Sequence, residues 1–105
     1  MLYSDKLHVV NAMIKRCNLH ITRFCESMYW SQINLRDEQE TIDIAFCFYQ
    51  DNLDSIEIIC MKDDVCVDDT ERYLFVDHDH TKTVDVEDVI KRYNEYMSED
   101  HTDDM

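Results

Sequence analysis

Large apolar residues occupy every second position from Ile42 to Phe48, while Asp43, Cys47 and Tyr49 fall in the alternate phase. A period of two is what a strand with one buried face requires, because successive side chains point to opposite sides of the pleat. The pattern predicts a strand over 41–49 with Ile42, Ile44, Phe46 and Phe48 turned to the core. The polar run 50–54 reads as a hairpin loop, with Asn52 best suited to a left-handed backbone. Residues 55–61 answer as the partner strand, with Ile56, Ile58 and Cys60 facing inward. Upstream, Leu19, Ile21 and Arg23 alternate with His20, Thr22 and Phe24. Tyr29, Ser31, Ile33 and Leu35 then share a face, with Trp30 on the other. Two further strands are expected there, followed by a polar turn at 36–40. Residues 72–77 read as another strand, and 65–67 are too few to assign.

The period changes at both ends. Leu7, Val10, Met13 or Ile14, and Cys17 recur at helical spacing. Ser4 serves as N-cap with Asp5 in the first turn, Lys15 and Arg16 suit the last turn, and Asn18 supplies a left-handed stop. A helix is expected over 5–17. After a polar turn at 78–82, Asp85 caps a second helix with Asp88 at the capping-box position; Val86, Val89, Ile90, Tyr93 and Met97 form its apolar stripe. The fold class is therefore α+β: an N-terminal helix, an antiparallel meander sheet of four to five strands and a C-terminal helix, in two layers. One domain covers 1–98, and 99–105 is an acidic frayed tail. The second sheet face mixes Thr41, Asp43, Cys47, Tyr49, Glu57 and Ile59, which suits either solvent or a dimer contact.

The chain contains no glycine and no proline. Asn and Asp must then build the tight turns, and glycine loops that cradle phosphates are excluded. Five cysteines at irregular spacing, without a C-x-x-C pair, are neither a disulfide framework nor a zinc ribbon; Cys47 and Cys60 read as small hydrophobes. No apolar run approaches the length of a membrane span, and the N-terminal stretch lacks a signal-peptide core. A cytoplasmic location is expected, the host cytosol if the protein is viral.

Charge changes the picture most. The net charge is −14, and it is unevenly placed: residues 1–36 hold five bases against two acids, a net +3, whereas residues 37–105 hold five bases against 22 acids, a net −17. Such a body repels nucleic acid and anionic membranes and attracts basic protein surfaces. Asp63, Asp64, Asp68, Asp69, Glu71, Asp77 and Asp79 cluster, followed at once by Asp85, Glu87 and Asp88. Rows of carboxylates of this kind can imitate a phosphate backbone, which places one negative charge about every 1.7 Å of duplex axis. The bland alternative is a solvated face that keeps the chain soluble.

Other candidate chemistry is thin. His78 and His80 resemble a metal pair with Cys66 or Asp77 as third ligand, but two imidazoles two residues apart also suit a polar turn. The Asp63–Asp64 and Asp68–Asp69 pairs offer oxygens without an EF-hand pattern. No local signature of Cys–His catalysis is present. Trp30, Tyr29, Tyr49, Tyr93 and Tyr96 are either interface anchors or core. The chain reads as non-enzymatic, without a cofactor or resident metal.

In size, charge and composition the chain resembles small phage-encoded inhibitors of host defence, including DNA-mimicking anti-restriction and anti-CRISPR proteins. That resemblance implies a binding inhibitor of the basic nucleic-acid groove of a nuclease or CRISPR effector and carries no residue roles; the clustering of charge is what puts the ten acids from Asp63 to Asp88, with nearby aromatics, at the contact. The alternative is an acidic dimeric chaperone that holds an extended segment of a secreted effector in an apolar groove. The expected partner is a basic protein surface, with no direct nucleic acid and no membrane, and a homodimer is possible.

Overall fold

The computed structural model describes residues 2–50, 52–62, 65–66 and 72–99. In order they form α1 (Leu2–Cys17), β1 (His20–Glu26), β2 (Trp30–Arg36), β3 (Ile42–Tyr49), β4 (Asn52–Lys62), β5 (Val65–Cys66), β6 (Arg72–Val76) and α2 (Val86–Ser98). The strands make one antiparallel sheet in the order β1-β2-β3-β4; β6 pairs with the middle of β4 and the short β5 with its end. The expected meander and both helices are present, and β5 is the segment that the pattern left unassigned.

The core follows the two periodicities. Ile42, Ile44, Phe46 and Phe48 of β3 are buried together with Ile33 and Leu35 of β2 and Ile56 and Ile58 of β4. Val9, Val10 and Met13 of α1 and Val89, Ile90, Tyr93 and Tyr96 of α2 join the same cluster, so the apolar stripes of both helices belong to one core with the strands. Burying one such side chain contributes about 1.5–3 kcal/mol. Two details of the helices differ from the pattern. Without a glycine or proline to stop it, α1 begins at Leu2, so Ser4 lies inside the helix and is not its cap. In α2, Tyr96 is buried and Met97 is 40% exposed, because the last turn sets the Tyr96 ring beneath the Arg72 guanidinium, 5.6 Å away.

Among the described residues, four take the left-handed conformation: Asn18, Glu40, Gln50 and His80, each with φ near 56°. Asn18 ends α1 as its side chain favours. In the β3–β4 hairpin the left-handed residue is Gln50, and Asn52 already belongs to β4. The 37–41 turn is held by the Asp37 carboxylate, which accepts from the Thr41 N–H and hydroxyl and from the Ile42 N–H. Asp85 is the N-cap of α2, its Oδ1 accepting from the Glu87 N–H at 3.0 Å.

The second sheet face is a polar network. Asp43, 8% exposed, accepts from Arg36 Nε at 2.8 Å and from Asn34 Nδ2 at 2.7 Å, and Asn34 in turn accepts from Gln32 Nε2.

Candidate binding surfaces

Of the ten acids expected to form one surface, Asp63, Asp64, Asp68, Asp69 and Glu71 lie outside the described residues. The other five are placed, and most have work inside the fold. Asp77 is 5% exposed and turned inward, its carboxylate accepting the N–H groups of Thr81 and Lys82. Burial pushes this carboxyl up. The Lys82 and Thr81 hydrogen bonds, with the nearby charges of Lys82 and His80, outweigh that push and hold it below the ordinary range. Glu87 makes a two-pronged contact with Arg16, at 2.6 and 3.1 Å, joining α2 to α1. The hydrogen bond and charge of Arg16 hold the Glu87 carboxyl low. Asp88 pairs with Arg92 one turn on, Asp85 caps its helix, and Asp79 is exposed at the tip of the 78–80 turn. Of these five, Asp77, Asp85, Glu87 and Asp88 are engaged within the fold, and Asp79 stands exposed.

A second cluster forms around Asp54, which sequence reasoning passed over as part of a loop. Between Cys47 and Phe48 the β3–β4 register shifts, so Cys47 faces Ser55, Phe48 faces Leu53 and Asp54 is the extra, bulged residue. Its carboxylate is buried and meets both histidines of the turn, with Oδ2 2.9 Å from His78 Nδ1 and Oδ1 3.1 Å from His80 Nε2. Its carbonyl accepts the Asp77 N–H at 2.9 Å. The His80 ring stacks on Tyr49 at 5.9 Å, and Tyr49 leans on Trp30 at 4.9 Å. The imidazoles are therefore tied to a carboxylate in a turn, not aligned along a strand as a ligand pair. Among the described residues no three His, Cys, Asp or Glu side chains are grouped to hold a metal ion. Cys17, Cys25, Cys47 and Cys60 are not joined in disulfides, and burial pushes the thiols of Cys17 and Cys47 up.

The third feature is apolar. Ile21, Phe24, Met28, Tyr29 and Trp30 are 53, 54, 84, 54 and 48% exposed. They fall within ten residues of sequence, on β1 and the hairpin that leads to β2. With Leu7, Val10 and Asn11 of α1 they line a groove of about 670 Å³. β1 lies at the sheet edge, and Ile21 and Phe24 share the core's side of the sheet there, half exposed, with α1 forming part of the groove wall. The sequence pattern had placed Ile21 and Phe24 in opposite phases. The register shift at Thr22 brings them onto one face, since Ile21 pairs with Leu35 and Phe24 with Ile33, both core residues. Of the aromatics that read as either anchors or core, Tyr29 and Trp30 are half exposed, whereas Tyr93 and Tyr96 are core. The legible signal for the groove was the density of apolar residues at 21–30 opposite no acid but Glu26.

No helix among the described residues is long and apolar enough to cross a membrane. No protein-family model, curated protein or solved structure matches this chain.

Proposed function

We propose that this chain is a small, acidic, non-enzymatic binding protein that occupies the basic nucleic-acid-binding groove of a partner enzyme, such as a nuclease or a guide-RNA effector of host defence. The observation that carries the reading is the segregation of charge with the fold. Residues 1–36, which build α1, β1 and β2, sum to +3, and residues 37–105, which build β3 onward, sum to −17. β1 is one edge of the sheet and β6 lies beyond β4 on the other, so the net-positive third of the chain builds one edge and described strands of the net-negative part build the other. A polarised field of this kind steers a basic partner to that side and speeds the encounter. Glu87 and Asp88 already have Arg16 and Arg92 as partners, so the reading gives the main part to Asp63, Asp64, Asp68, Asp69 and Glu71. The protein acts in the cytosol, where such a partner works.

The test is inhibition of nucleic-acid cleavage by a panel of nucleases and CRISPR effectors, with the chain as titrant. Inhibition should be relieved by excess duplex and by salt. It should also be lost when Asp63, Asp64, Asp68 and Asp69 are changed together to Asn. Inhibition that the fourfold variant retains in full contradicts the charge mechanism.

A further inference from the structure

We infer that the free edge of β1 and the groove beside it are where a second copy of this chain docks, strand to strand. Ile21, Phe24, Met28, Tyr29 and Trp30 are each about half exposed or more and line one groove, and an exposed apolar cluster of this kind marks an interaction site. β1 pairs on one side only among the described residues, with β2. An exposed apolar edge strand is a ready template for another strand. β1 carries neither lysine nor proline to blunt it; the bulge at Thr22 is its one irregularity.

Charge selects the occupant. β1 holds one acid and one base, Glu26 and Arg23, and lies in the net-positive third of the chain. Two copies that meet at β1 join their least acidic edges and leave β4 and β6 of each copy on the side of the sheet away from the contact. A basic partner is drawn instead to the acidic strands, whereas two copies, both acidic, repel each other least when they meet along this edge.

Register supports the same occupant. A two-fold axis normal to the sheet keeps the core side of both copies on one side, which makes the contact self-complementary. With antiparallel pairing centred between Thr22 and Arg23, Ile21 stands opposite Phe24 of the second copy, and the reverse. His20 stands opposite Cys25, and Thr22 opposite Arg23. The same-face sets agree, because the bulge puts Ile21 with Phe24 and His20 with Cys25. No like charges face each other, and two β-branched–aromatic pairs form, a favoured cross-strand combination. The two bulges meet at the axis, and the ladder runs on either side of it. The second copy's Ile21 then seats beside Phe24 at the mouth of the groove.

The inference goes beyond the proposed function and has the opposite salt response. Salt screens the repulsion between two acidic bodies, so it strengthens this contact while weakening the grip on a basic partner. The experiment is light scattering on the full chain across a dilution series, at low and high salt. The expected mass is that of two chains, with the dimer fraction rising with salt. Phe24→Glu and, separately, Ile21→Ser should weaken association at least tenfold with an unchanged far-ultraviolet circular dichroism spectrum, as befits half-exposed positions. Directly opposed residues in an antiparallel pair lie about 4.5–5.5 Å apart at Cα, within disulfide range. Mild oxidation of His20→Cys should therefore yield a covalent dimer, with the introduced thiol joined to Cys25 of the second copy. A one-chain mass at every concentration and salt, or a dimer that Phe24→Glu leaves intact, overturns the inference. So does a monomer whose groove takes up an extended apolar peptide, the behaviour of a chaperone.

Discussion

Ile21 and Phe24 lie on the same face of β1 although three residues separate them, because Thr22 is accommodated as a bulge against β2. Neither is needed by the core of the single chain. Phe46, by contrast, is fully buried. Phe46→Ala should cost about 3–5 kcal/mol, and Phe24→Ser should stay within about 0.5 kcal/mol of wild type under conditions where the chain is monomeric. Urea unfolding of the two variants checks the contrast. A large loss for Phe24→Ser would mean that the groove is part of the folding core.

Asp54 ties the β4 bulge to the 78–80 turn through two imidazoles and its own carbonyl. Asp54→Ala leaves both rings without this acceptor and should destabilise the fold by about 1–3 kcal/mol. The Tyr49–His80 stack should loosen with it. Chemical unfolding gives the cost, and the ring resonances of Tyr49 and His80 give the local effect. Unchanged ring shifts would show that the carboxylate does not position the turn.

The pH limits follow from three groups. The Asp77 and Glu87 carboxyls are held below their ordinary values in the folded chain. Their contribution is fully present above the ordinary carboxylate range, about 4. It is lost as pH falls through the lower folded values. The Tyr93 hydroxyl is pushed up to about 12, by burial first and then by Cys17 and Asp37. The folded state therefore holds that proton longer than the unfolded state, and stability falls as pH rises from about 10 toward that value. Asp77→Asn and Glu87→Gln should flatten the acid limb of stability against pH, and Tyr93→Phe the alkaline limb. An acid limb that neither carboxyl variant changes would contradict this assignment.

Gln50 carries the left-handed backbone of the β3–β4 hairpin. A side chain branched at Cβ is worse there than an unbranched one, and glycine removes the clash. Gln50→Gly should exceed Gln50→Val in stability by about 1–2 kcal/mol. Equal midpoints for the two variants would mean that the hairpin relaxes to another turn.

The strands of the core were readable because Ile42, Ile44, Phe46 and Phe48 repeat strictly, as do Ile56 and Ile58 opposite them. The readings failed where one residue breaks a repeat. Thr22 and Asp54 are each an inserted residue, and an insertion shifts every later side chain to the other face without leaving a mark in composition. Turn chemistry misled in the same local way: Asn52 has the better intrinsic preference, yet the hairpin places the strained position at Gln50. Met97 fits the helical stripe on spacing, but Arg72 and the end of the sheet favour Tyr96. The acid cluster was legible as charge, whereas the inward turn of Asp77 depends on backbone N–H groups that only the folded 77–82 turn brings together.

The central claim, that clustered carboxylates are what a cationic cleft grips, is tested most directly by the affinity of the chain for an inhibited enzyme as a function of salt. The account predicts a steep linear fall of log affinity with log salt concentration, with a much shallower fall when Asp63, Asp64, Asp68 and Asp69 are Asn. An affinity indifferent to salt, or a slope that the fourfold variant leaves unchanged, would contradict it.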